Sequence, residues 1–253
     1  QLEVGRVVGL AADGVRRWLG IPYGAPPVGA RRFLPAEPAS PWTEPLDATA
    51  FGPAAHQAHS FLVGPEPPVV DEDCLHLNVW SPEGAADLPV MVWFHGGSFT
   101  TGMSALPWYD GEHLARRGVV VVTVNYRLGP LGFLHLESLG GDRFAGAANA
   151  GLLDQSLALA WVQQHIVAFD GDPARVSIFG ESAGGMSVSM HLGLPASAGR
   201  FAGAIAQSGA AGHVHGPEAA ERVARAVLDA LGVPAEHPER LMDLPAEAFS
   251  EVQ

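Results

Sequence analysis

The sequence predicts an α/β fold, in which a mainly parallel, twisted sheet carries helices on both faces and follows an antiparallel hairpin. Three observations lead to this class. Short apolar runs alternate with runs of helical periodicity, Asp13-Gly14 separates two strand-like runs, and a glycine-rich turn joins a strand to a helix. Strands that alternate with helices build parallel sheets with right-handed crossovers. With 253 residues, 47% of them hydrophobic and 16% charged, the chain can bury a core as one domain, residues 1–253.

The amino-terminal half supplies the hairpin and the first strands of the sheet. An Asp-Gly dipeptide between apolar runs favours a hairpin turn, and a stretch rich in Pro and Gly indicates an irregular loop. Alternation of apolar and polar residues indicates a half-buried strand, whereas unbroken apolar runs are typical of central parallel strands. The predicted elements are strands at residues 4–10, 14–20, 75–80, 88–94 and 119–125, with a covering loop at 22–53.

The second half alternates helices with strands. Leucines and other apolar residues recur at helical spacing, and Gly or Pro residues end each helix. The predicted elements are helices at residues 150–169, 185–192 and 219–231 and strands at 176–179 and 201–207.

Charge and cysteine content restrict the class of partner. The formal charge is −13, from 27 acidic residues against 14 basic residues that are all arginine. A net acidic surface argues against binding to nucleic acid or an anionic membrane. We find no apolar run long enough for a membrane span. Cys74 is the single cysteine, so an intrachain disulfide is excluded and a cytoplasmic location is favoured over secretion.

Ser182 is the candidate nucleophile. It lies within Gly180-Glu181-Ser182-Ala183-Gly184, between a predicted strand and a predicted helix. A serine on such a tight turn has its hydroxyl lifted clear of the sheet, and the helix amino terminus favours developing negative charge. The alternative is a glycine-rich turn with an incidental serine.

A second glycine turn follows the strand at residues 88–94. The segment His95-Gly96-Gly97-Ser98 lies where the ligand loops of open α/β sheets gather. Glycines there allow backbone N–H groups to point at an oxyanion. A plain turn is the alternative reading when this segment is considered by itself.

Seven motifs, spread in order over most of the chain, resemble the type-B carboxylesterases. This family of α/β-hydrolases includes the cholinesterases and bacterial p-nitrobenzyl esterases. The motifs are Gly20-Ile21-Pro22-Tyr23 with Pro26-Pro27-Val28-Gly29, Glu72-Asp73-Cys74-Leu75-His76-Leu77-Asn78-Val79-Trp80, His95-Gly96-Gly97, Asn125-Tyr126-Arg127-Leu128-Gly129, Gly151-Leu152-Leu153-Asp154-Gln155, Phe179-Gly180-Glu181-Ser182-Ala183-Gly184-Gly185 and Gln207-Ser208-Gly209.

The resemblance implies an α/β-hydrolase fold and the roles of the site residues. Ser182 would be the nucleophile, and the N–H groups of Gly97, Ser98 and Ala183 would form the oxyanion hole. Gly96 would allow the turn, and Glu181 would be a buried acid beside the nucleophile, with a solvated turn residue as the alternative. The substrate would be a small carboxylic ester, and neither a metal nor an organic cofactor is implied.

The resemblance also implies structural features away from the nucleophile. Arg32 would pair with Glu72, and Arg127 with Asp154. Ala55 occupies the place of the cysteine that many relatives pair with Cys74, so Cys74 is expected to be a free, buried thiol. Aromatic residues that could line the substrate gorge, although core packing is their default role, are Phe94, Phe99, Trp108 and Tyr109.

The resemblance implies that the chain corresponds only to the amino-terminal half of such an enzyme. The acid and histidine of the family's triad would follow the serine in a carboxy-terminal part of the fold, which is expected to be missing here. We therefore expect a complementary carboxy-terminal polypeptide, without which the chain would be insoluble or molten. Two other classes stay open, a non-catalytic binding module on the hydrolase fold and an inactive half-enzyme.

Local histidines offer weaker alternatives for the missing base. His191 is predicted to point away from the Ser182 hydroxyl. His213 and His215 follow the last predicted strand, where a flexible surface loop is favoured over a catalytic or a metal role, since two ligands alone do not define a metal site. A compact triad of Ser182, Asp229 and His237 would obey the family's chain order.

Overall fold

The computed structural model describes residues 2–64 and 66–253. The strands are β1 (Val7–Val8), β2 (Leu10–Ala12), β3 (Val15–Pro22), β4 (Leu46–Asp47), β5 (His76–Pro82), β6 (Leu88–Phe94), β7 (Val120–Val124), β8 (Gly171–Glu181) and β9 (Gly203–Gln207). The α-helices are α1 (Glu112–Ala115), α2 (Gly129–Phe133), α3 (Glu137–Gly140), α4 (Ala150–His165), α5 (Ala183–His191), α6 (Pro217–Ala230) and α7 (Glu247–Ser250).

Seven of the strands form one mixed sheet in the order β2-β3-β5-β7-β6-β8-β9. Strands β7, β6, β8 and β9 are parallel to one another, whereas β2, β3 and β5 run antiparallel to their neighbours. The sequence prediction of a parallel region preceded by a hairpin is therefore confirmed.

The predicted bounds of two strands are wrong, because pairing with segments distant in the sequence decides where these strands begin and end. The first hairpin strand is Leu10–Ala12 and not residues 4–10, since Val7–Val8 pairs separately with Leu46–Asp47. Strand β8 begins at Gly171, earlier than predicted, because Gly171 pairs with Leu88. Such pairings between remote segments leave no local periodicity in the sequence.

The main core lies between the central strands and two helices. All five residues of β7 are buried. Val162 of α4 and Val188 of α5 pack with the buried side chains of one sheet face. On the opposite face Ala115 of α1 packs with Trp80 and Val121. Helices thus lie on both faces, as expected for a sheet of parallel strands.

Two ion pairs, one part-buried and one buried, join segments that are remote in sequence. Arg32 binds both carboxylate oxygens of Glu72, at 2.7 and 2.6 Å. Arg127 binds both oxygens of Asp154, at 2.8 and 2.6 Å. Cys74 is free and buried. These expectations are confirmed.

Strand β9 forms one edge of the sheet. Within the described residues it pairs only with β8, and Ile205 is 48% exposed. An open strand edge with an exposed apolar side chain is a site of association, so the expectation that the isolated chain is insoluble or molten remains a prediction. Among the described residues, no helix combines the length and apolar character needed to cross a membrane.

Candidate active site

Ser182 lies at a strained turn between β8 and α5. Its backbone has φ 55° and ψ −121°, outside the conformations that a serine normally adopts. Its N–H donates to the carbonyl oxygen of Gln207 at 2.9 Å, and its own carbonyl accepts from Met186 at 2.9 Å. A residue in such a conformation costs about 1–3 kcal/mol and persists only where its surroundings hold it. The predicted strand–turn–helix arrangement is present at this position.

Close backbone packing explains the small residues of this turn. A Cβ atom at Gly180 would lie 2.7 Å from the carbonyl oxygen of Phe94, at the end of β6. No real Cβ approaches an oxygen so closely, and a larger residue would push the two strands apart at this level. The glycine therefore permits β8 and β6 to remain paired up to the turn.

The glycine loop after β6 touches the Ser182 turn directly. A Cβ at Gly96 would lie 2.8 Å from the carbonyl oxygen of Glu181 and 3.2 Å from Cβ of Ser182. The next two residues have positive φ, 112° at Gly97 and 56° at Ser98, which turns the backbone back on itself. The structure thus brings together two segments that lie more than 80 residues apart in the sequence.

Three backbone N–H groups at this junction are without protein acceptors. Across residues 2–64 and 66–253, no hydrogen bond is donated by the N–H of Gly97, Ser98 or Ala183. Gly97 instead uses its carbonyl, which accepts from Thr100 and Thr101 at 3.0 and 2.9 Å. Unpaired N–H groups next to a helix amino terminus are suited to bind an anionic oxygen.

The imidazole ring of His95 holds the glycine loop in place. Its Nδ1 donates to the carbonyl of Gly96 at 2.8 Å, and its ring stacks on Tyr126 at 4.4 Å between centroids. The Tyr126 hydroxyl donates to the His95 carbonyl at 2.7 Å. Burial lowers the pKa of His95 to about 4, so this imidazole is neutral at physiological pH and serves to hold the loop.

Glu181 and the candidate gorge aromatics occupy varied environments. Glu181 is exposed in the described chain, so the expectation of a buried acid is not met there. Burial raises the pKa of Tyr109, and the negative charge of Glu181 adds to this effect. Trp108 is 60% exposed, whereas Phe94 is fully buried in the core. Phe99 packs against Phe133 at 4.9 Å between ring centroids.

The histidines that follow Ser182 are engaged elsewhere or exposed. Both ring nitrogens of His191 are bonded, Nδ1 to Ser197 at 2.7 Å and Nε2 to Gln155 at 2.9 Å. His237 pairs with Glu239 at 3.1 Å. His213 and His215 are exposed in the segment after β9, as is Asp229 on α6. In the described part of the chain, no group of three His, Cys, Asp or Glu side chains could hold a metal ion.

Comparison with known proteins decides the family. The model of the carboxylesterase family matches residues 1–249.

The chain belongs to the carboxylesterase family.

Similar members of the family are bacterial esterases. The chain is 47% identical over 249 residues to para-nitrobenzyl esterase of Bacillus subtilis (strain 168), covering 97% of the chain and 50% of that protein. It is 45% identical over 209 residues to fumonisin B1 esterase of Sphingopyxis macrogoltabida, covering 81% of the chain and 38% of that protein.

Solved structures of carboxylesterases have the same fold over this region. A para-nitrobenzyl esterase structure superposes with a TM-score of 0.93 at 45% identity, covering 99% of the chain and 52% of that structure. A Geobacillus stearothermophilus carboxylesterase gives a TM-score of 0.92 at 44% identity, with the same coverage. The chain spans about half the length of the carboxylesterases that it matches.

Sequence reasoning missed polar residues that lie behind the Ser182 turn in this member of the family. Gln155 on α4 and Ser187 on α5 are fully buried and bonded to each other at 3.1 Å. The available signal was a pair of polar residues on the buried side of an apolar helix. Ser187 and His191 lie one helical turn apart on that side of α5.

Proposed function

We propose that residues 1–253 supply the nucleophile and the oxyanion hole of a serine carboxylic ester hydrolase. The close approach of Gly96 to Ser182 carries this proposal, because Gly97 and Ser98 follow Gly96 directly and their N–H groups have no acceptor among the described residues. The same holds for the N–H of Ala183, the residue after the serine. We further propose that residues 1–253 are the amino-terminal portion of a single hydrolase domain.

The reaction would proceed through an acyl-enzyme. The Ser182 Oγ attacks the ester carbonyl carbon and loses its proton to a general base, and the carbonyl oxygen becomes an oxyanion that accepts from the three N–H groups. The alcohol departs with the proton held by the base. Water then attacks the acyl-serine, and the carboxylic acid is released. This serine route requires neither a metal nor an organic cofactor.

The general base is proposed to come from outside this chain. A serine hydroxyl without a base is a poor nucleophile. His191 is fully bonded and His237 pairs with Glu239, which disfavours His191 as the base and the compact triad of Ser182, Asp229 and His237. We propose that a histidine and an acid on a complementary carboxy-terminal segment complete the triad, as the half-length match to single-chain relatives suggests.

The proposed substrate is a small carboxylic ester with an apolar acyl or alcohol part. The exposed indole of Trp108 and the half-buried ring of Tyr109 offer aromatic surface beside the turn. The similar proteins are named for hydrolysis of para-nitrobenzyl and fumonisin B1 esters, so the shared feature is the ester group. A buried, unpaired Cys74 favours a cytoplasmic location.

Covalent labelling tests the nucleophile. We expect a fluorophosphonate probe to label the natural protein on Ser182, as read by peptide mass spectrometry, and Ser182→Ala to abolish labelling. Ser189→Ala in the same helix is the matched control and should label normally. Labelling that persists in Ser182→Ala would refute the proposal.

The same experiment separates the other classes. A non-catalytic binding module would not react with the probe even when the complementary polypeptide is present. An inactive half-enzyme would not react with the probe in either case, whereas the proposed hydrolase should react on Ser182 once that polypeptide is present. The retained Ser182 and both glycine turns favour the enzyme over a binding module.

A further inference from the structure

A chain of buried hydrogen bonds runs behind the Ser182 turn and ends on its first helical residue. We call it the buried relay. It links α4, α5 and the 3-10 turn Pro195–Ser197 in an otherwise apolar interior. Its members are Ser156, Ser197, His191, Gln155, Ser187 and the carbonyl of Ala183.

One acceptor, the carbonyl of Ala183, determines which group donates in each hydrogen bond at the Ser182 end of the relay. The carbonyl of Ala183 cannot donate, so the Ser187 hydroxyl must donate to it, at 3.0 Å. Ser187 has then used its only proton, and the Gln155 amide must donate to the Ser187 oxygen, at 3.1 Å. The amide oxygen of Gln155 therefore faces Nε2 of His191, at 2.9 Å, and this nitrogen must carry a proton.

The remaining bonds take the same direction. Burial lowers the pKa of His191 to about 4, so the ring is neutral and its Nδ1 accepts from the Ser197 hydroxyl at 2.7 Å. Ser197 in turn accepts from Ser156 at 2.9 Å. All five hydrogen bonds point toward Ala183, and hydrogen bonds aligned in this way strengthen one another.

The relay ends one peptide away from a proposed oxyanion donor. The Ala183 N–H lies in the peptide plane before its Cα and the Ala183 carbonyl in the plane after it, so the two orientations are linked through φ and ψ of this residue. Ala183 begins α5 and is fully buried, as is Ser187, so the Ser187 hydroxyl adds a second, buried constraint to the first turn of the helix.

We propose that Ser187, Gln155 and His191 are positioning residues for ester hydrolysis, which act by holding the Ala183 N–H toward the oxyanion. This inference rests on the proposed function. The relay acts through the helix backbone and makes no contact with the substrate. Its loss should therefore reduce kcat and leave KM unchanged.

Two variants of the natural protein test the relay with p-nitrophenyl acetate as substrate. Ser187→Ala removes the donor to Ala183. Gln155→Glu keeps the side-chain volume, but a carboxylate cannot donate to Ser187, whose hydroxyl would turn away from Ala183. We expect kcat to fall about 5- to 50-fold in both, less than the ~100- to 1,000-fold loss that accompanies removal of an oxyanion donor. Ser189→Ala is the matched helix control, and active serines are counted with the fluorophosphonate probe.

Nitrogen NMR of His191 gives a readout that does not depend on activity. The relay requires the neutral ring protonated on Nε2 at pH 7. A ring protonated on Nδ1, or an imidazolium, would overturn the relay, and so would an unchanged kcat per active serine in Ser187→Ala. If Ser182→Ala still reacts with the probe, the proposed function itself fails, whereas normal loss of labelling with an unchanged kcat in Ser187→Ala refutes the relay alone.

Discussion

Arg127→Ala tests the contribution of the buried ion pair between Arg127 and Asp154. The Arg127 side chain is 4% exposed and that of Asp154 is 0% exposed. Removing the guanidinium deletes two hydrogen bonds to the carboxylate, at 2.8 and 2.6 Å. Among the described residues, the backbone N–H of residue 127, at 3.1 Å from the carboxylate, is the hydrogen-bond donor to Asp154 that would remain.

The expected loss of stability is large. Leaving one member of a buried pair without its partner costs about 3–5 kcal/mol, a large part of the roughly 5–15 kcal/mol that stabilises a typical domain. For a chain of this length the thermal midpoint should fall by roughly 6–20 °C. We therefore expect Arg127→Ala to be poorly folded, as measured by circular dichroism during heating.

Two further variants make this measurement specific. Arg175→Ala removes an exposed pair with Asp172, whose arginine is 51% exposed, and should leave the thermal midpoint nearly unchanged because exposed ion pairs contribute little to stability. The double change Arg127→Met with Asp154→Leu removes both charges and should recover much of the stability. A midpoint for Arg127→Ala within about 2 °C of the parent protein would refute the reasoning.

Three other predictions follow from single contacts. Gly96→Ala should greatly reduce fluorophosphonate labelling of Ser182 because its Cβ would meet Glu181 at 2.8 Å; normal labelling would contradict the contact. Burial lowers the pKa of His95 and of His191 to about 4, against ~6.5 in the unfolded chain. As the pH falls, the unfolded chain therefore binds protons at a higher pH than the folded chain does. Urea stability should thus be full above pH ~6.5 and decline toward pH ~4, by up to about 3 kcal/mol for each ring; a flat profile would be inconsistent with neutral buried rings. Because burial raises the pKa of the Cys74 thiol, iodoacetamide should modify it only at the rate of unfolding, and rapid modification in native buffer would show that it is accessible.

The sequence predicted those parts of the candidate site that lie within short, continuous motifs. Ser182 and its flanking glycines predict a strand–turn–helix, and the structure has β8, the turn and α5 in that order. The segment at Leu88–Phe94 has the predicted bounds, since an apolar run bordered by polar residues and glycines defines a buried strand without further context.

Residues whose environment depends on distant segments were less predictable. Glu181 was expected to be buried and is exposed, because coverage depends on what packs beside β8. The polar partners Gln155 and Ser187 come from different helices, and their bond arises only when α4 and α5 pack together.

The sequence by itself determined the family, the order of the elements and the segments that carry the candidate site. These properties depend on local periodicity, turn chemistry and short motifs, which each segment holds independently of the others. Only the tertiary structure decided that Gly96 touches Ser182, that three N–H groups at this junction are without acceptors among the described residues, and that the buried relay points toward Ala183. These features depend on distances between segments far apart in the chain, and packing of the whole sheet and its helices sets those distances.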